Sequence, residues 1–314
     1  METRAWGPLD RIIDALPSYV ADARESPRWL LMFILARFVP VRRLLRRLAR
    51  PPGAHTADPP SALFPALAVE KIADSVASVL DADGLWVGLR LPDATVDAIR
   101  NFALRTPCYG NFDRRYVFLP GEHEAAERRY GVGLITGQYL DAVEQCEAIR
   151  ALRADAALWR IAEAYLRSRP IAITTRLWWS FPSDSGAARD YHMAGQERFH
   201  FDLDDWRSVK FFFYLTDVDA DCGPHVMLRG SHRFHTAAHQ ISPMVGKTEA
   251  EVVAAYGRAN VATVCGPAGL GFAEDPFAFH MGRAPRTRPR LMAEVEFGVS
   301  AATRRRFYGD LIRP

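Results

Sequence analysis

The chain has 314 residues, 49% of them hydrophobic and 25% charged, which is close to the average for globular proteins and enough to bury a full core. Its formal net charge of +3 is small and gives no indication of nucleic-acid binding. Four scattered cysteines without a C-x-x-C pair argue against a disulfide framework or a zinc-thiolate site, so we expect a cytoplasmic protein.

The first predicted element is a basic amphipathic helix. An apolar run over residues 29–36 leads into five arginines between residues 42 and 50, with leucines at helical spacing between them. Arg37 and Pro40 interrupt the apolar run well short of the ~18 residues that a transmembrane helix needs. Two interpretations remain open. The helix packs on the core with a solvated arginine face, or residues 29–50 contact a membrane surface or an acidic partner, making the protein membrane-peripheral.

The segment PPGAHTADPP at residues 51–60 predicts a linker, because its prolines and small residues neither continue a helix nor build a core. We therefore expect a helical N-terminal extension over residues 1–60 and one larger domain over residues 61–314.

The larger domain begins with helical patterns and then becomes mostly β. Apolar residues at helical spacing predict helices that end near Gly84, span about residues 92–104, and fill residues 140–167, with the short strand LWVGLRL after the first. Pro170 then precedes IAITTRLWWSF, a β-branched and aromatic run typical of a central strand. The sequence predicts a mainly β protein with a helical N-terminal part.

Candidate metal ligands occur in the segment HFDLDDW. Residues i and i+2 of a strand face the same side about 6.5–7 Å apart, so His200 and Asp202 can reach one point while Phe201 faces away. Both groups are costly to bury without a partner, and a metal ion would supply one. His280, at the end of a later apolar run, offers a third ligand. Two imidazoles and one carboxylate form the facial triad that leaves open positions on Fe(II).

Three segments in this order resemble the phytanoyl-CoA dioxygenase family of Fe(II)- and 2-oxoglutarate-dependent oxygenases: HFDLDDW, LTDVDADCGPHVMLRGSHR and FHMGRAPRTRPRLMAEVEF. The resemblance covers about residues 170–300. It implies a double-stranded β-helix, that is, a cupin-like jelly-roll core within an α+β chain. It also implies that His200, Asp202 and His280 bind the iron.

The resemblance further implies an arginine, at the start of the last core strand, that anchors the distal carboxylate of 2-oxoglutarate. Arg290 stands directly before LMAEVEF and is the preferred candidate, with Arg288 as the runner-up. An arginine suits this role because its guanidinium is always charged and forms two parallel hydrogen bonds to a carboxylate. Family members often carry a hydroxyl residue two positions after the second histidine, where this chain has Gly282.

Three further residues are candidates for a substrate pocket. Trp178 and Trp206 are large aromatics near the predicted site, although one of the adjacent Trp178 and Trp179 must face the opposite side of its strand. Lys210 begins an apolar strand and either touches the cosubstrate carboxylate or extends to water.

The resemblance implies oxidation of 2-oxoglutarate with O2 to succinate and CO2, coupled to hydroxylation of an unactivated C–H bond of a small organic or lipid-like substrate. Asp202 favours hydroxylation over halogenation, because halogenating relatives carry a small residue in place of this carboxylate. Two other interpretations stay open: a non-catalytic jelly roll that binds a metal or ligand, and a peripheral membrane or partner-binding protein that acts through its arginine-rich helix. The sequence specifies neither the substrate nor an oligomeric state.

Overall fold

The structure is a computed structural model that describes residues 20–49 except 22 and 25, together with residues 61–64, 69–182, 196–241 and 246–300. The linker that we predict at residues 51–60 lies outside these ranges. None of the helices formed by the described residues combines the length and hydrophobicity that a bilayer crossing requires.

The described residues before the predicted linker include the helices α1 (Pro27–Leu35) and α2 (Val39–Leu48). The hydroxyl of Ser26 caps α1 by accepting a hydrogen bond from the amide of Trp29. Trp29 and Met32 are buried in a small cluster against Trp206, and Val39 joins a second cluster with residues of the β half. The N-terminal helices therefore pack on the larger domain.

Among the described residues, six helices lie between residues 69 and 166, and most of them cover one face of the large sheet. They are α3 (Val69–Asp83), α4 (Asp93–Arg105), α5 (His123–Tyr130), α6 (Ala142–Gln145), α7 (Glu147–Ala154) and α8 (Ala156–Leu166). The helical pattern over residues 140–167 forms three helices because Cys146 and Asp155 adopt extended backbone angles. The Asp155 carboxylate then caps α8 by accepting from the amide of Ala157.

Eight strands form the large sheet. They are β1 (Leu85–Arg90), β2 (Cys108–Gly110), β3 (Val117–Phe118), β4 (Thr136–Tyr139), β5 (Ile171–Ser180), β6 (Ser208–Tyr214), β9 (Leu270–Glu274) and β11 (Arg290–Gly298), in the spatial order β1-β9-β6-β11-β5-β4-β2-β3. Every pairing is antiparallel. The strands β2 to β4 were not predicted, because segments of two to four residues are too short to show a clear alternation.

A second, smaller sheet has the order β10-β7-β8, formed by β7 (His225–Leu228), β8 (Val261–Val264) and β10 (His280–Gly282). The helices α9 (Ala237–Ile241) and α10 (Glu249–Tyr256) lie in the chain between β7 and β8. Isolated bridges join residues 196 and 200 to β10 and extend this sheet. The two sheets form the double-stranded β-helix that the sequence predicts.

The alternation of side chains along the strands separates two cores. On β6, Phe211 and Phe213 face the helices, whereas Phe212 and Tyr214 face the smaller sheet. Met292 lies with this second pair, so alternate residues of β11 also face the barrel interior. This interior contains the candidate site.

Candidate metal centre

The structure brings His200, Asp202 and His280 together. The backbones of the two histidines exchange hydrogen bonds, N–O 2.9 and 2.8 Å, so an isolated bridge holds His200 beside the first residue of β10. One potential ligand atom from each of the three residues lies within 4.8 Å of the other two. An Asp202 carboxylate oxygen is 3.9 Å from Nε2 of His200, and the other oxygen is 3.5 Å from Nε2 of His280. This spacing fits a single metal ion held by three ligands.

Each imidazole is oriented by a backbone carbonyl. Nδ1 of His200 lies 3.1 Å from the carbonyl oxygen of Arg198, and Nδ1 of His280 lies 2.9 Å from that of Ala278. A neutral histidine that donates from Nδ1 presents the lone pair of Nε2 to a metal. Both rings are therefore held in an orientation that directs Nε2 toward Asp202.

A buried lysine contacts the carboxylate ligand. Nζ of Lys210 lies 2.6 Å from Asp202 and 3.1 Å from Asp204, with Glu296 at 3.8 Å. Burial disfavours the charged forms, but the mutual attraction of these groups holds the pKa of Lys210 well above its usual value and the pKa of Asp202 well below. Lys210 thus keeps Asp202 ionised for a metal. The expectation that Lys210 extends to water is wrong, since its side chain is 3% exposed.

Two residues that the sequence did not indicate support His280 from behind. Glu274, fully buried at the end of β9, lies 2.6 Å from Nε2 of His225 and 3.8 Å from Nδ1 of His280. Burial favours the neutral imidazole, yet Glu274 and Asp202 outweigh it and raise the pKa of His280 to about 9. A carboxylate behind a histidine ligand makes the imidazole a stronger donor. The only feature of the sequence that could have indicated Glu274 is that a charged residue ends the apolar strand LGFAE.

Arg290 opens β11 and is buried inside the barrel, with 3% exposure. Its guanidinium donates to the carbonyl oxygen of Gly223 and to the hydroxyl of Ser180 at 3.2 Å. No carboxylate of the described residues pairs with it, and its Nε has no hydrogen-bond partner there. Burial lowers the pKa of Arg290, with only a small opposing effect of Tyr214. A buried, unpaired guanidinium is costly and fits a site that receives an anionic ligand.

A serine and a glycine contact the Arg290 guanidinium. Ser180, paired opposite Arg290 in the sheet, also accepts from the side-chain amide of Gln196 at 3.1 Å. Its hydroxyl therefore lies beside Arg290, whereas position 282 has a glycine. Gly223 has φ +72°, and a Cβ there would lie 2.6 Å from the carbonyl oxygen of Arg283, so only glycine fits this turn.

The neighbouring arginines lie outside the barrel. Arg288 precedes β11, is 58% exposed, and pairs with Asp219 at 2.8 Å. Arg286 is exposed, and Arg283 pairs with Glu249 at 2.8 Å. Arg288 therefore does not share the inward face of Arg290, contrary to the alternation expected from sequence, because the strand begins only at Arg290.

The tryptophans take different places. Trp178 is buried in the barrel interior beside Phe212, with the guanidinium of Arg176 4.5 Å above its ring. Trp179 faces the helices and donates to the hydroxyl of Tyr139. Trp206 packs against the α1 cluster of Trp29, Met32 and Ala36. Of the two candidate pocket tryptophans, Trp178 faces the barrel interior and Trp206 packs at the contact with α1.

Solved structures with a similar fold include HygX and EctD. HygX from Streptomyces hygroscopicus, solved with nickel and 2-oxoglutarate bound, superposes with a TM-score of 0.50 at 16% identity, covering 74% of this chain and 89% of HygX. EctD from S. alaskensis, solved in its apoform, gives a TM-score of 0.51 at 20% identity, covering 83% of this chain and 85% of EctD. At these identities the likeness shows the fold alone. No protein-family model and no curated protein sequence matches the chain.

Proposed function

We propose that the chain is an Fe(II)- and 2-oxoglutarate-dependent dioxygenase of the phytanoyl-CoA dioxygenase type that hydroxylates an unactivated C–H bond of a small organic or lipid-like substrate. One observation carries the proposal. The barrel that holds the His200–Asp202–His280 cluster also buries Arg290 without a carboxylate partner among the described residues. A metal centre and a cation for an organic acid are the two parts that such an enzyme needs. HygX, which shares the fold, holds nickel and 2-oxoglutarate.

Some of these residues would bind the metal and 2-oxoglutarate, and others would keep Asp202 ionised and exclude water. His200, Asp202 and His280 would hold the metal, and Arg290 with Ser180 would bind the distal carboxylate of 2-oxoglutarate through charge-assisted hydrogen bonds. When bound, Fe(II), 2-oxoglutarate and O2 supply the oxidising power for hydroxylation. Lys210 keeps Asp202 ionised, and Trp178 with its apolar neighbours excludes water from the interior. An intact Asp202 supports hydroxylation over halogenation.

Anaerobic reconstitution tests the proposal. Purified protein is mixed with Fe(II) and 2-oxoglutarate, the charge-transfer absorption of the complex is recorded, and succinate is measured after O2 is admitted. We expect both signals, and we expect Arg288→Ala to retain them, because its exposed pair with Asp219 contributes little. Iron binding without a response to 2-oxoglutarate would favour a non-catalytic metal-binding jelly roll. Absence of iron binding would favour a scaffold for the N-terminal helices.

A further inference from the structure

A cavity separate from the candidate metal centre lies between the N-terminal helix α2 and the larger domain. It has a volume of about 450 Å³, and none of the three candidate metal ligands lines it. Its wall is formed by α2, the end of α3, Tyr165 on α8, Arg207 before β6, Asp275 after β9, and the turn at residues 232 and 233. The volume is within the range of cavities that bind small molecules.

Five arginines line this cavity against two aspartates. The arginines are Arg42, Arg43, Arg46, Arg207 and Arg233, and the aspartates are Asp81 and Asp275. Both carboxylates are already engaged, because Asp81 pairs with Arg46, and Asp275 accepts from Tyr165 at 2.5 Å and lies 3.8 Å from Arg42. The other three guanidiniums have no carboxylate partner among the residues that the structure describes. The cavity therefore carries an excess of positive charge.

Arg207 is the most informative of these three. It is 92% buried, its Nη1 has no hydrogen-bond partner, and no ion pair of the described residues includes it. Burial, with Arg46 and Arg42 nearby, lowers its pKa to about 10 despite the opposing effects of Tyr165 and Asp275, so the guanidinium remains charged at neutral pH. A buried cation without a partner costs several kcal/mol, and an anion in the cavity would offset that cost.

The rim of the cavity adds two exposed cations. Arg43 donates to the backbone carbonyl oxygen of Arg233 at 2.6 Å, and both residues are exposed and line the cavity. The site thus has one buried cation and two exposed ones. A ligand with several anionic oxygens and more than one negative charge matches this arrangement better than a single carboxylate, because each guanidinium forks onto two acceptors.

From this geometry we infer that the cavity between α2 and the larger domain is a phosphate-binding site, with Arg207 as its buried anchor. The ligand class is a phosphate compound with two or more negative charges, either a free phosphate ester or diphosphate, or the phosphomonoester headgroup of a lipid. Since α2 forms one wall, the bound anion would also fasten the N-terminal helix to the domain.

Calorimetric titration of the full chain with pyrophosphate, at fixed ionic strength, tests the inference. We expect saturable binding and a ligand-dependent rise in melting temperature. Arg207→Gln should weaken the affinity by roughly ten- to a hundredfold, the loss expected for a charge-assisted hydrogen bond. Arg233 lies at the exposed rim, so Arg233→Gln should leave the packed interior unchanged and weaken the affinity for pyrophosphate severalfold. Arg47→Gln is the matched control, because this exposed arginine of α2 does not line the cavity and should leave the affinity unchanged.

Vesicles of phosphatidylcholine with and without phosphatidic acid distinguish the two sources of phosphate. Pelleting that needs phosphatidic acid and is lost in Arg207→Gln assigns the site to a lipid headgroup, whereas Arg207-dependent binding of pyrophosphate alone assigns it to a free phosphate compound. The inference fails if neither ligand binds the wild-type chain, or if Arg207→Gln and Arg233→Gln both bind like wild type. The iron content of the same variants is also measured. If it stays at the wild-type level, a loss of phosphate binding does not come from a change at the metal centre.

Discussion

His200 and His280 exchange two backbone hydrogen bonds although a large part of the β half separates them in the chain. Their ring centroids lie 4.4 Å apart, and each Nδ1 is held by a carbonyl oxygen two residues earlier. The pair therefore presents both Nε2 atoms on the same side, with Asp202 between them. The backbone pairing of the two histidines therefore holds the candidate ligands together.

Removal of one ligand should abolish tight metal binding. We expect His200→Ala and Asp202→Ala each to lose stoichiometric Fe(II), measured anaerobically by metal analysis after gel filtration, because two remaining ligands form a weaker site. His239→Ala is the control, since its ring contacts Tyr256 and it is not in the cluster. Iron at wild-type level in both ligand variants would exclude this cluster as the metal site.

Arg290 should determine the affinity for 2-oxoglutarate. Arg290→Ala removes a buried partner of a carboxylate, which costs about 2–5 kcal/mol, or roughly thirtyfold to several thousandfold in affinity. Arg290→Lys should rescue poorly, because an ammonium group cannot reproduce the fork. The measurement is the dependence of succinate formation on 2-oxoglutarate concentration.

Arg288→Ala is the matched control for this series and should change the saturation by less than about threefold. If Arg288→Ala were defective and Arg290→Ala normal, the anchor would be misassigned while the enzyme class survived. If no arginine from 283 to 290 affected saturation, the 2-oxoglutarate proposal would be lost.

Glu274 should strengthen metal binding without being a ligand. Glu274→Gln removes the charge behind His280 while keeping a hydrogen-bonding group for His225, and we expect the metal affinity to fall about ten- to a hundredfold. Competition of the variant with a chelator of known affinity measures this loss. Glu249→Gln, which changes an acid that pairs with Arg258 and Arg283, should behave like wild type. If Glu274→Gln and Glu249→Gln bound the metal with equal affinity, the role of Glu274 would be structural only.

Asp205 should contribute to stability rather than to chemistry. Its carboxylate is buried and accepts four hydrogen bonds, from the amides of Trp206, Val299 and Ser300 and from the Ser300 hydroxyl. Asp205→Ala leaves buried donors unsatisfied, and the free energy of unfolding should fall by about 2–4 kcal/mol in urea denaturation. Asp217→Ala, which loses one exposed hydrogen bond to the amide of Ala268, should cost less than about 1 kcal/mol. Similar losses in the two variants would contradict this assignment.

Only part of the basic face of α2 is exposed. Arg42 and Arg46 point to the domain, while Arg47, Leu44 and Leu48 are exposed. We propose weak contact with anionic lipid, about 1 kcal/mol for each exposed arginine, that disappears at high salt. Sedimentation with phosphatidylserine vesicles at low and high ionic strength measures it, and Arg47→Gln should reduce it. Without pelleting at low salt, packing on the domain would be the helix's whole role.

Local sequence determined several of the helices and strands of this fold and the candidate residues of its site. Alternation predicted His200 and Asp202 on one face with Phe201 on the other, and the structure has Phe201 in an aromatic cluster, although this segment forms an isolated bridge to β10 rather than a full strand. The position of Arg290 before an apolar run marked the start of a strand. The family resemblance supplied the order of the segments, from which the double-stranded β-helix was predicted correctly.

Only the tertiary structure decided which groups meet. Periodicity gives the face of a residue but not its partner on another element, so Glu274, His225 and Ser180 could not be identified from the sequence. For Lys210 the sequence left contact with the cosubstrate carboxylate or extension to water open, and the structure buries it among carboxylates that come from β11 and from the loop before β6. The arginines of α2 have one helical pattern, but contact with the domain turned Arg42 and Arg46 inward and formed the cavity around Arg207. Burial and ion pairing depend on contacts distant in the chain, and these exist only once the sheets have closed.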